Sequence, residues 1–346
     1  MVNQLTIRNY KSIKDLDIET KRVNIFIGEH NSGKSNILEA LNWFSVGSLD
    51  PINRQEMFRF KAAQDFFYDF DVTKPVTIQT NELSLMIRYA KNNHGAILGW
   101  LEGLIYKSDL WEDPTAIGEW STLQSKYTNF LSFRLELNGN IDLNQGYLAS
   151  IFRTYIFKRL KTFGISYAPY LNPPFGENIP ALLISNKEYQ ESVRSIFKGK
   201  GFRLMLKPTE NDFSMAKDEN DELFSYPYQA ISETLQRIVF YTLAIESNKN
   251  AILILDEPES NTFPMFTNQL GEMMALDSDN QYFIATHNPY LLDALLSKTT
   301  MDDLAIFVTK MEKFRTVVKS VPQAKMSELM QKGVDFYSNL DKLTDN

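Results

Sequence analysis

The sequence of 346 residues contains no cysteine and only three histidines. Without cysteine, a disulfide framework and a thiolate metal site are both excluded. So few histidines also argue against a metal site built from imidazole ligands. Aromatic residues are plentiful by contrast, with 24 Phe and 16 Tyr. Together with a hydrophobic content of 43%, they predict a globular chain of one large domain or two modest ones.

Long hydrophobic runs are lacking as well. The opening MVNQLTIRNYKSIK has no apolar segment of the kind found in secretory signals, and no run approaches the roughly 18 apolar residues of a membrane span. We therefore expect a cytoplasmic protein with no membrane contact. The net charge of −7 argues against a protein that coats nucleic acid through bulk positive charge, but it leaves a local basic groove open.

Two parts of the chain, residues 1–50 and 226–346, show a regular α/β pattern. The first reads as the strands LTIRNY, LDIET and VNIFIG, followed by the helix SNILEALNWF. The second begins with the helix SETLQRIVFYTLAIES, with Ser232 as N-cap candidate, followed by the apolar strands AILILD and QYFIATH and the helix PYLLDALLS. Two further strands and one or two closing helices complete it. Apolar strands that alternate with helices predict an α/β fold with flanking helices.

The intervening residues 51–225 read as an insertion of β-hairpins and short helices. PVTIQTNELSLMIRY alternates like a β-hairpin or two edge strands. FLSFRLELNGNIDL reads as a hairpin with Asn138-Gly139 as a type I′ turn. Residues 91–128 read as helical or loop-like, and residues 151–163 as an amphipathic helix with a basic face. After a Pro/Gly-rich loop, the pattern predicts the helix NKEYQESVRSIF and the strand pair FRLMLK and DFSMAK.

Charge is uneven within this insertion. Residues 194–207 carry five basic residues and no acid, whereas residues 210–222 carry six acids and one Lys. Two solvated faces of a strand–turn–strand unit are the simpler interpretation. A basic edge that faces phosphate or an acidic partner is the alternative.

The segment GEHNSGKS matches G-x-x-x-x-G-K-[ST] and lies between a predicted strand and a predicted helix. Gly28 and Gly33 allow backbone N–H groups to surround phosphate oxygens, and the helix N-terminus adds a favourable dipole. In such a loop, Lys34 holds the β- and γ-phosphates and Ser35 coordinates Mg²⁺. The motif therefore predicts a site for a nucleotide phosphate chain.

Polar residues follow the two apolar strands of the second part. Asp256 ends the strand AILILD, where it suits Mg²⁺ binding, and Glu257 can act as the general base that polarises the attacking water. His287 follows the next strand and is the expected γ-phosphate sensor at the carboxyl edge of the sheet. An acidic turn at a strand end and a structural histidine are the simpler alternatives.

The phosphate loop with Asn36 behind it, LDEPE and ATHNP occur in an order that resembles the ABC-type ATPases of the SMC, RecF and OLD group. The opening LTIRNYKSIKDLDI is similar to that group's N-terminal strand pair, whose basic residues approach the nucleotide. The chain most resembles small stand-alone prokaryotic AAA-family ATP-binding proteins, many of which are associated with defence against phage. The resemblance covers residues 1–45 and 226–300. It implies a P-loop NTPase fold of the ABC-ATPase type with a mixed sheet core and an antiparallel β lobe.

The resemblance also implies ATP and Mg²⁺ as ligands and a role for each matched residue. Lys34, Glu257 and His287 would be catalytic, and Ser35 and Asp256 would bind the metal. The residues that would bind ATP are Gly28, Asn31, Ser32, Gly33, Lys34, Ser35, Asn36 and, from a second subunit, Ser232. In this group, the D-loop, which corresponds to residues 260–263 (SNTF), crosses a dimer interface.

The sequence departs from the group at the signature motif. ISETLQR lacks the usual glycines and places Glu233 and Thr234 beside Ser232. A carboxylate near a γ-phosphate is unfavourable, so Glu233 must point away, or engagement of a second subunit's ATP is weakened; Arg237 is a candidate to compensate. An ordinary N-capped helix start is an equal alternative for this segment. The candidates for a Q-loop glutamine are Gln55, Gln64 and Gln79.

Two elements of relatives are not expected. Residues 51–225 replace the long coiled coil of SMC proteins, and only 59 residues follow His287, too few for the Toprim nuclease domain of OLD proteins. We therefore expect an ATPase head (1–50 and 226–346) with an insertion (51–225).

The leading hypothesis is an ATPase that dimerises around ATP and acts in antiphage defence or DNA repair, with DNA as a possible partner. The alternative is an ATP-gated switch that holds a separately encoded effector, such as a nuclease or toxin. A transporter-coupling ATPase is disfavoured because no Gly-rich signature or clear Q-loop is visible.

Overall fold

The structure is a computed structural model that describes residues 1–91, 99–107, 130–136, 140–146, 150–166, 168–220, 222–332, 340 and 343. Within these residues, the strands form three sheets of seven, six and three strands. The strands are β1 (Gln4–Tyr10), β2 (Ile13–Glu19), β3 (Val23–Gly28), β4 (Val76–Thr80), β5 (Leu83–Lys91), β6 (Gly99–Lys107), β7 (Phe130–Leu135), β8 (Ile141–Gly146), β9 (Phe152–Thr154), β10 (Arg203–Lys207), β11 (Asp212–Glu219), β12 (Glu222–Pro227), β13 (Ile252–Asp256), β14 (Gln281–Ala285), β15 (Leu304–Glu312) and β16 (Arg315–Ser320).

The helices lie mainly around the six-stranded sheet. They are α1 (Lys34–Asn42), α2 (Pro51–Gln55), α3 (Ile179–Ser185), α4 (Lys187–Lys198), α5 (Glu233–Glu246), α6 (Pro264–Leu276), α7 (Pro289–Lys298) and α8 (Gln323–Lys332). Ser232 caps α5, as predicted, because its side chain accepts a hydrogen bond from the Leu235 amide. No helix of the described residues combines the length and apolar character that crossing a membrane requires.

The six-stranded sheet forms the centre of the molecule, in the order β16-β15-β3-β14-β13-β9. Its neighbours pair in parallel except β15 and β16, which are antiparallel. Successive side chains of a strand point to opposite faces, so each buried strand serves two cores. Ile25 and Ile27 of β3 pack in the cluster that includes residues of α5–α7, whereas Phe26 packs with α1 and the seven-stranded sheet. This two-sided burial explains the nearly continuous apolar runs.

The seven-stranded sheet is the predicted antiparallel lobe, in the order β2-β1-β4-β5-β6-β7-β8. Both predicted hairpins are confirmed as the pairs β4–β5 and β7–β8, although Asn138-Gly139 lies outside the described residues. Trp43, just after α1, stacks between Phe58 and Phe133 at ring-centroid distances of 3.9 and 5.0 Å. The end of α1 is thereby fixed against the lobe.

Two predictions for the middle of the chain are wrong. Residues 99–107, expected to be helical or loop-like, form β6, because Gly99–Lys107 pairs on both sides with β5 and β7. The rest of 91–128 lies mostly outside the described residues. Residues 151–163, expected to be an amphipathic helix, contain strand β9 followed by an irregular segment. Pairing with β13 at the sheet edge overrides the helical periodicity.

Beyond β9, the predicted helix and strand pair are confirmed as α4 and β10–β11, with β12 as a third strand. Because β9 lies within residues 51–225 yet belongs to the central sheet, the insertion contributes a strand to it. The division into a head and an insertion stays a prediction.

Candidate active site

The phosphate loop connects β3 to α1 through positive backbone φ angles. Gly28 has φ 152° and Gly33 has φ 99°, and Asn31, with φ 59°, takes the left-handed conformation that Asn tolerates better than most residues. A Cβ at Gly33 would overlap the side chain of Thr316 on β16. The glycines of the motif are therefore required by both the backbone and the neighbouring strand.

The Lys34 side chain folds back over the loop. Its Nζ donates to the carbonyl oxygens of Gly28 and Glu29 at 2.9 and 2.8 Å. Burial lowers the pKa of Lys34, and the nearby carboxylates of Glu257 and Asp256 oppose that shift. A partly desolvated ammonium group held by carbonyl oxygens can be transferred to phosphate oxygens without moving the backbone.

Ser35 and Asp256 meet although 221 positions separate them in the chain. The Ser35 hydroxyl, at the start of α1, lies close enough to the Asp256 carboxyl, at the end of β13, to lower its pKa. Part of the Asp256 side chain reaches solvent at the strand end. Desolvation by the neighbouring protein atoms raises the pKa of its carboxyl, and the charge of Glu257 adds to this. The Ser35 hydroxyl and the charges of Arg59 and Lys34 lower the same pKa. A hydroxyl and a carboxylate are hard oxygen donors, which fit Mg²⁺.

Glu257 and His287 also lie together, at the ends of β13 and β14. His287 Nδ1 is 3.0 Å from Glu257 Oε1. The Glu257 amide donates to the Ala285 carbonyl at 2.9 Å, and Glu257 has the uncommon φ of 48°. The His30 ring of the phosphate loop lies 5.0 Å from the His287 ring. The loop, the acid and the histidine thus converge on one place at the carboxyl edge of the sheet.

Side chains at both ends of the loop are tied to the neighbouring strands. Ser32 Oγ hydrogen-bonds with Thr309 Oγ1 of β15 at 2.7 Å. Asn36 donates to Ser12 Oγ at 2.7 Å, and Ser12 Oγ hydrogen-bonds with Thr316 Oγ1 at 2.7 Å. These contacts join the β1–β2 turn, β15 and β16 to the start of α1 and thereby orient the loop.

An open pocket of about 500 Å³ adjoins the first turn of α1. It combines charged and aromatic side chains and is large enough for a nucleoside. Its lining residues are Lys11, Ser12, Asn36, Arg59, Asp65, Phe67, Asp69 and Phe70.

Glu233 turns toward residues 260–263 of the same chain, the predicted D-loop. Its Oε1 accepts from Arg237 at 2.9 Å and from Asn261 at 3.4 Å. The hydrogen bond from Arg237 lowers the pKa of Glu233. The guanidinium of Arg237 is therefore engaged by this carboxylate, and the role of Ser232 toward a second subunit's ATP stays a prediction.

The three Q-loop candidates lie on separate elements. Gln55 ends α2, Gln79 lies on β4, and Gln64 donates to the Tyr89 hydroxyl at 3.5 Å. Their assignment stays a prediction.

Four residues of this region were missed by the sequence reasoning. The ring of His30 lies beside that of His287, and Ser12 and Thr316 support the start of α1. The fourth residue, Glu259, is buried two positions after Glu257. Two of them have a local signal: His30 lies within GEHNSGKS, and Glu259 is the second glutamate of DEPES. Ser12 and Thr316 come from distant strands that only the sheet pairing brings to the site.

Most basic side chains of the segments 153–161 and 194–207 contact other protein groups, and four of them pair with carboxylates. Arg194, Arg203 and Lys207 form ion pairs, so the simpler interpretation of two solvated faces accounts for the segment 194–207. The contacts are Arg153 with Asn248 and the Tyr170 ring, Lys158 with Glu56, Arg159 with the Gln229 carbonyl, Arg194 with Glu191, Arg203 with Asp218, and Lys207 with Glu210.

A phosphate loop after β3, two carboxylates after β13 and a histidine after β14 of a mixed sheet define a P-loop ATPase head of the ABC type. A family model described as "AAA ATPase domain" matches residues 1–95, and one described as "AAA domain, putative AbiEii toxin, Type IV TA system" matches residues 112–293. The second match spans more than half of the chain, and the chain belongs to this family of AAA ATPases. The predicted class is thereby confirmed.

Curated relatives match over short stretches. The chain is 50% identical over 46 residues to an uncharacterized protein of Methanocaldococcus jannaschii (13% of this chain, 14% of that protein) and 43% identical over 47 residues to the DNA replication and repair protein RecF of Clostridium kluyveri (13% of each). It is 26% identical over 113 residues to an ATP/GTP phosphatase of Helicobacter pylori (28% of this chain, 30% of that protein). The chain thus spans less than a third of these relatives' lengths.

Among solved structures, the chain is similar to an SMC head bound to the C-winged helix domain of ScpA. The TM-score is 0.50 at 12% sequence identity, and the match covers 94% of this chain and 99% of that one. This similarity shows the fold, which confirms the predicted ABC-ATPase architecture.

Proposed function

We propose that two copies of this chain bind ATP and Mg²⁺ between them and that hydrolysis controls their assembly. The observation that carries the proposal is the convergence of Lys34, the Ser35–Asp256 pair and the Glu257–His287 pair at one edge of the sheet. These residue types in this arrangement serve phosphoryl transfer to water.

Each side chain has a distinct task in this proposal. Lys34 binds the β- and γ-phosphates, and Glu257 orients and deprotonates the attacking water, with His287 holding the carboxylate at 3.0 Å. Ser35 and Asp256 hold Mg²⁺, which would offset negative charge on the phosphate oxygens. The pocket beside the first turn of α1 receives the nucleoside.

Exposed apolar side chains next to these residues support dimerisation. Phe263 in the D-loop is 71% exposed, and Met265 and Tyr290 are exposed at the starts of α6 and α7. Large apolar side chains grouped on a surface are typical of protein interfaces. A second copy that approaches this face would cover them and enclose the ATP.

The contacts of the basic segments favour the switch hypothesis over direct action on DNA. Six of the nine basic side chains of residues 153–161 and 194–207 are engaged by protein acceptors or carboxylates, so contacts with DNA phosphates would compete with these interactions. The family description names a toxin of a type IV toxin–antitoxin system. We therefore propose that ATP-dependent assembly holds a separately encoded effector in a process such as antiphage defence.

Three proteins test the ATPase proposal: the wild type, Lys34→Ala and Glu257→Gln. Glu257→Gln should retain ATP binding, lose hydrolysis and accumulate as an ATP-dependent dimer in light scattering coupled to size exclusion, whereas Lys34→Ala should bind no ATP and stay monomeric. Wild-type turnover rates in Glu257→Gln would disprove the assignment of the base. A Glu257→Gln protein that stays monomeric with ATP would disprove the dimer.

Two further measurements separate the two roles. Salt-sensitive binding to duplex DNA would favour direct action on nucleic acid. Copurification with the product of a neighbouring gene, lost in Lys34→Ala, would favour the switch.

A further inference from the structure

Glu259 places a buried carboxyl group directly behind the proposed base. The residue is 4% exposed and lies in the loop after β13, two residues beyond Glu257. Its Oε1 accepts a hydrogen bond from Thr286 Oγ1. Because Thr286 immediately precedes His287, this one side-chain contact links the loop of the base to the strand of the histidine.

The link is one of two that join the ends of β13 and β14. In the first, the Glu257 amide donates to the Ala285 carbonyl at 2.9 Å. In the second, Thr286 Oγ1 donates to Glu259 and also accepts from the Asn288 amide at 3.0 Å. Glu257 makes the first link itself and lies two residues before Glu259, which makes the second, so its position relative to His287 depends on both.

The second carboxyl oxygen of Glu259 indicates a neutral acid. Among the described residues, Oε2 has no hydrogen-bond partner. An ionised carboxylate in such a place would be desolvated without compensation, whereas a protonated one carries no net charge. Burial raises the pKa of Glu259 to about 7, the charges of Glu257 and Asp256 add to this, and the hydrogen bond from Thr286 opposes it. On α5, the buried hydroxyl of Tyr241 lies within electrostatic range of the Glu259 carboxyl.

We infer that Glu259 is a positioning residue for the ATPase reaction. Through its buried hydrogen bond with Thr286, Glu259 holds Glu257 at its working distance from His287. The inference rests on the proposed function. A neutral acid performs this task without adding a third negative charge beside Asp256 and Glu257, where phosphates bind. Gln, which is neutral and retains the acceptor oxygen, should therefore replace Glu259 in the reaction, and Ala should not.

The test compares Glu259→Gln and Glu259→Ala with the wild type for ATP turnover and for binding of a fluorescent ATP analogue. Below pH 7, we expect Glu259→Gln to keep kcat within about twofold and Glu259→Ala to lose about tenfold or more, with analogue binding changed less than about threefold, because the loss falls on the chemical step. Thr286→Val, which keeps the volume but not the donor, should reproduce the loss, and Thr286→Ser should restore it.

The pH profile adds a readout that a merely structural role would not change. As pH rises through about 7, Glu259 ionises and wild-type kcat should fall, whereas Glu259→Gln should lack this falling limb. If Glu259→Ala and Thr286→Val both turn over ATP at the wild-type rate, or if Glu259→Gln loses as much as Glu259→Ala, the inference is wrong. If Glu257→Gln hydrolyses ATP normally, it is the proposed function that fails.

Discussion

Replacing Glu259 by Gln is expected to stabilise the protein progressively as pH rises from 4.5 to about 7. The acid is neutral in the native state up to a pKa of about 7, whereas it ionises at its ordinary value of 4.5 in the unfolded chain. Between these values the native state binds more protons than the unfolded state, so the free energy of unfolding falls as pH rises. Gln does not titrate, and the variant escapes this loss.

The magnitude follows from the difference between the two pKa values. About 2.5 pH units at about 1.4 kcal/mol each give about 3.5 kcal/mol. The advantage of Glu259→Gln over the wild type should therefore grow by about this amount between pH 4.5 and pH 8, and stay constant above pH 8. Since Glu259 is buried, solvent screens little of this effect.

Urea denaturation at several pH values, followed by the fluorescence of the four tryptophans, measures the effect. The matched control is Glu272→Gln on α6, the same substitution at a carboxylate that is 48% exposed. If the difference in free energy of unfolding between Glu259→Gln and the wild type does not change with pH, the reasoning is refuted. That result would mean that the Glu259 carboxyl ionises in the native state as it does in the unfolded chain.

Three further substitutions have defined outcomes. Arg22→Met should lower the free energy of unfolding by about 2–3 kcal/mol in urea denaturation, because the buried guanidinium donates to three carbonyl oxygens at the end of α6. Glu39→Ala should lower the free energy of unfolding by about 3–5 kcal/mol in the same measurement, because it leaves the largely buried ammonium of Lys11 without its carboxylate partner. Gly28→Ala should abolish ATP binding in calorimetry, because φ 152° is strained with a Cβ and that atom would overlap the Thr309 carbonyl; normal affinity would contradict this.

Local patterns were sufficient where a segment's structure depends on its own residues. The helix at Lys187–Lys198 and the hairpin β4–β5 were predictable because capping and strand alternation act over a few positions. The helix prediction for 151–163 failed because apolar and basic residues there fit a helical period, while pairing of β9 with β13 decides the outcome. A partner strand about 100 positions away leaves no local signal.

The sequence by itself determined the phosphate loop, the two carboxylates after one strand and the histidine after another, because each depends on a short motif at a strand end. Only the tertiary structure decided that Glu257 lies 3.0 Å from His287, that Ser12 and Thr316 support the loop, and that Glu259 is buried against Thr286. The physical reason is that these contacts arise from the pairing of β13 with β14 and from the approach of β16 to the phosphate loop. Burial, and with it the raised pKa of Glu259, is a property of the packed molecule that no stretch of sequence possesses alone.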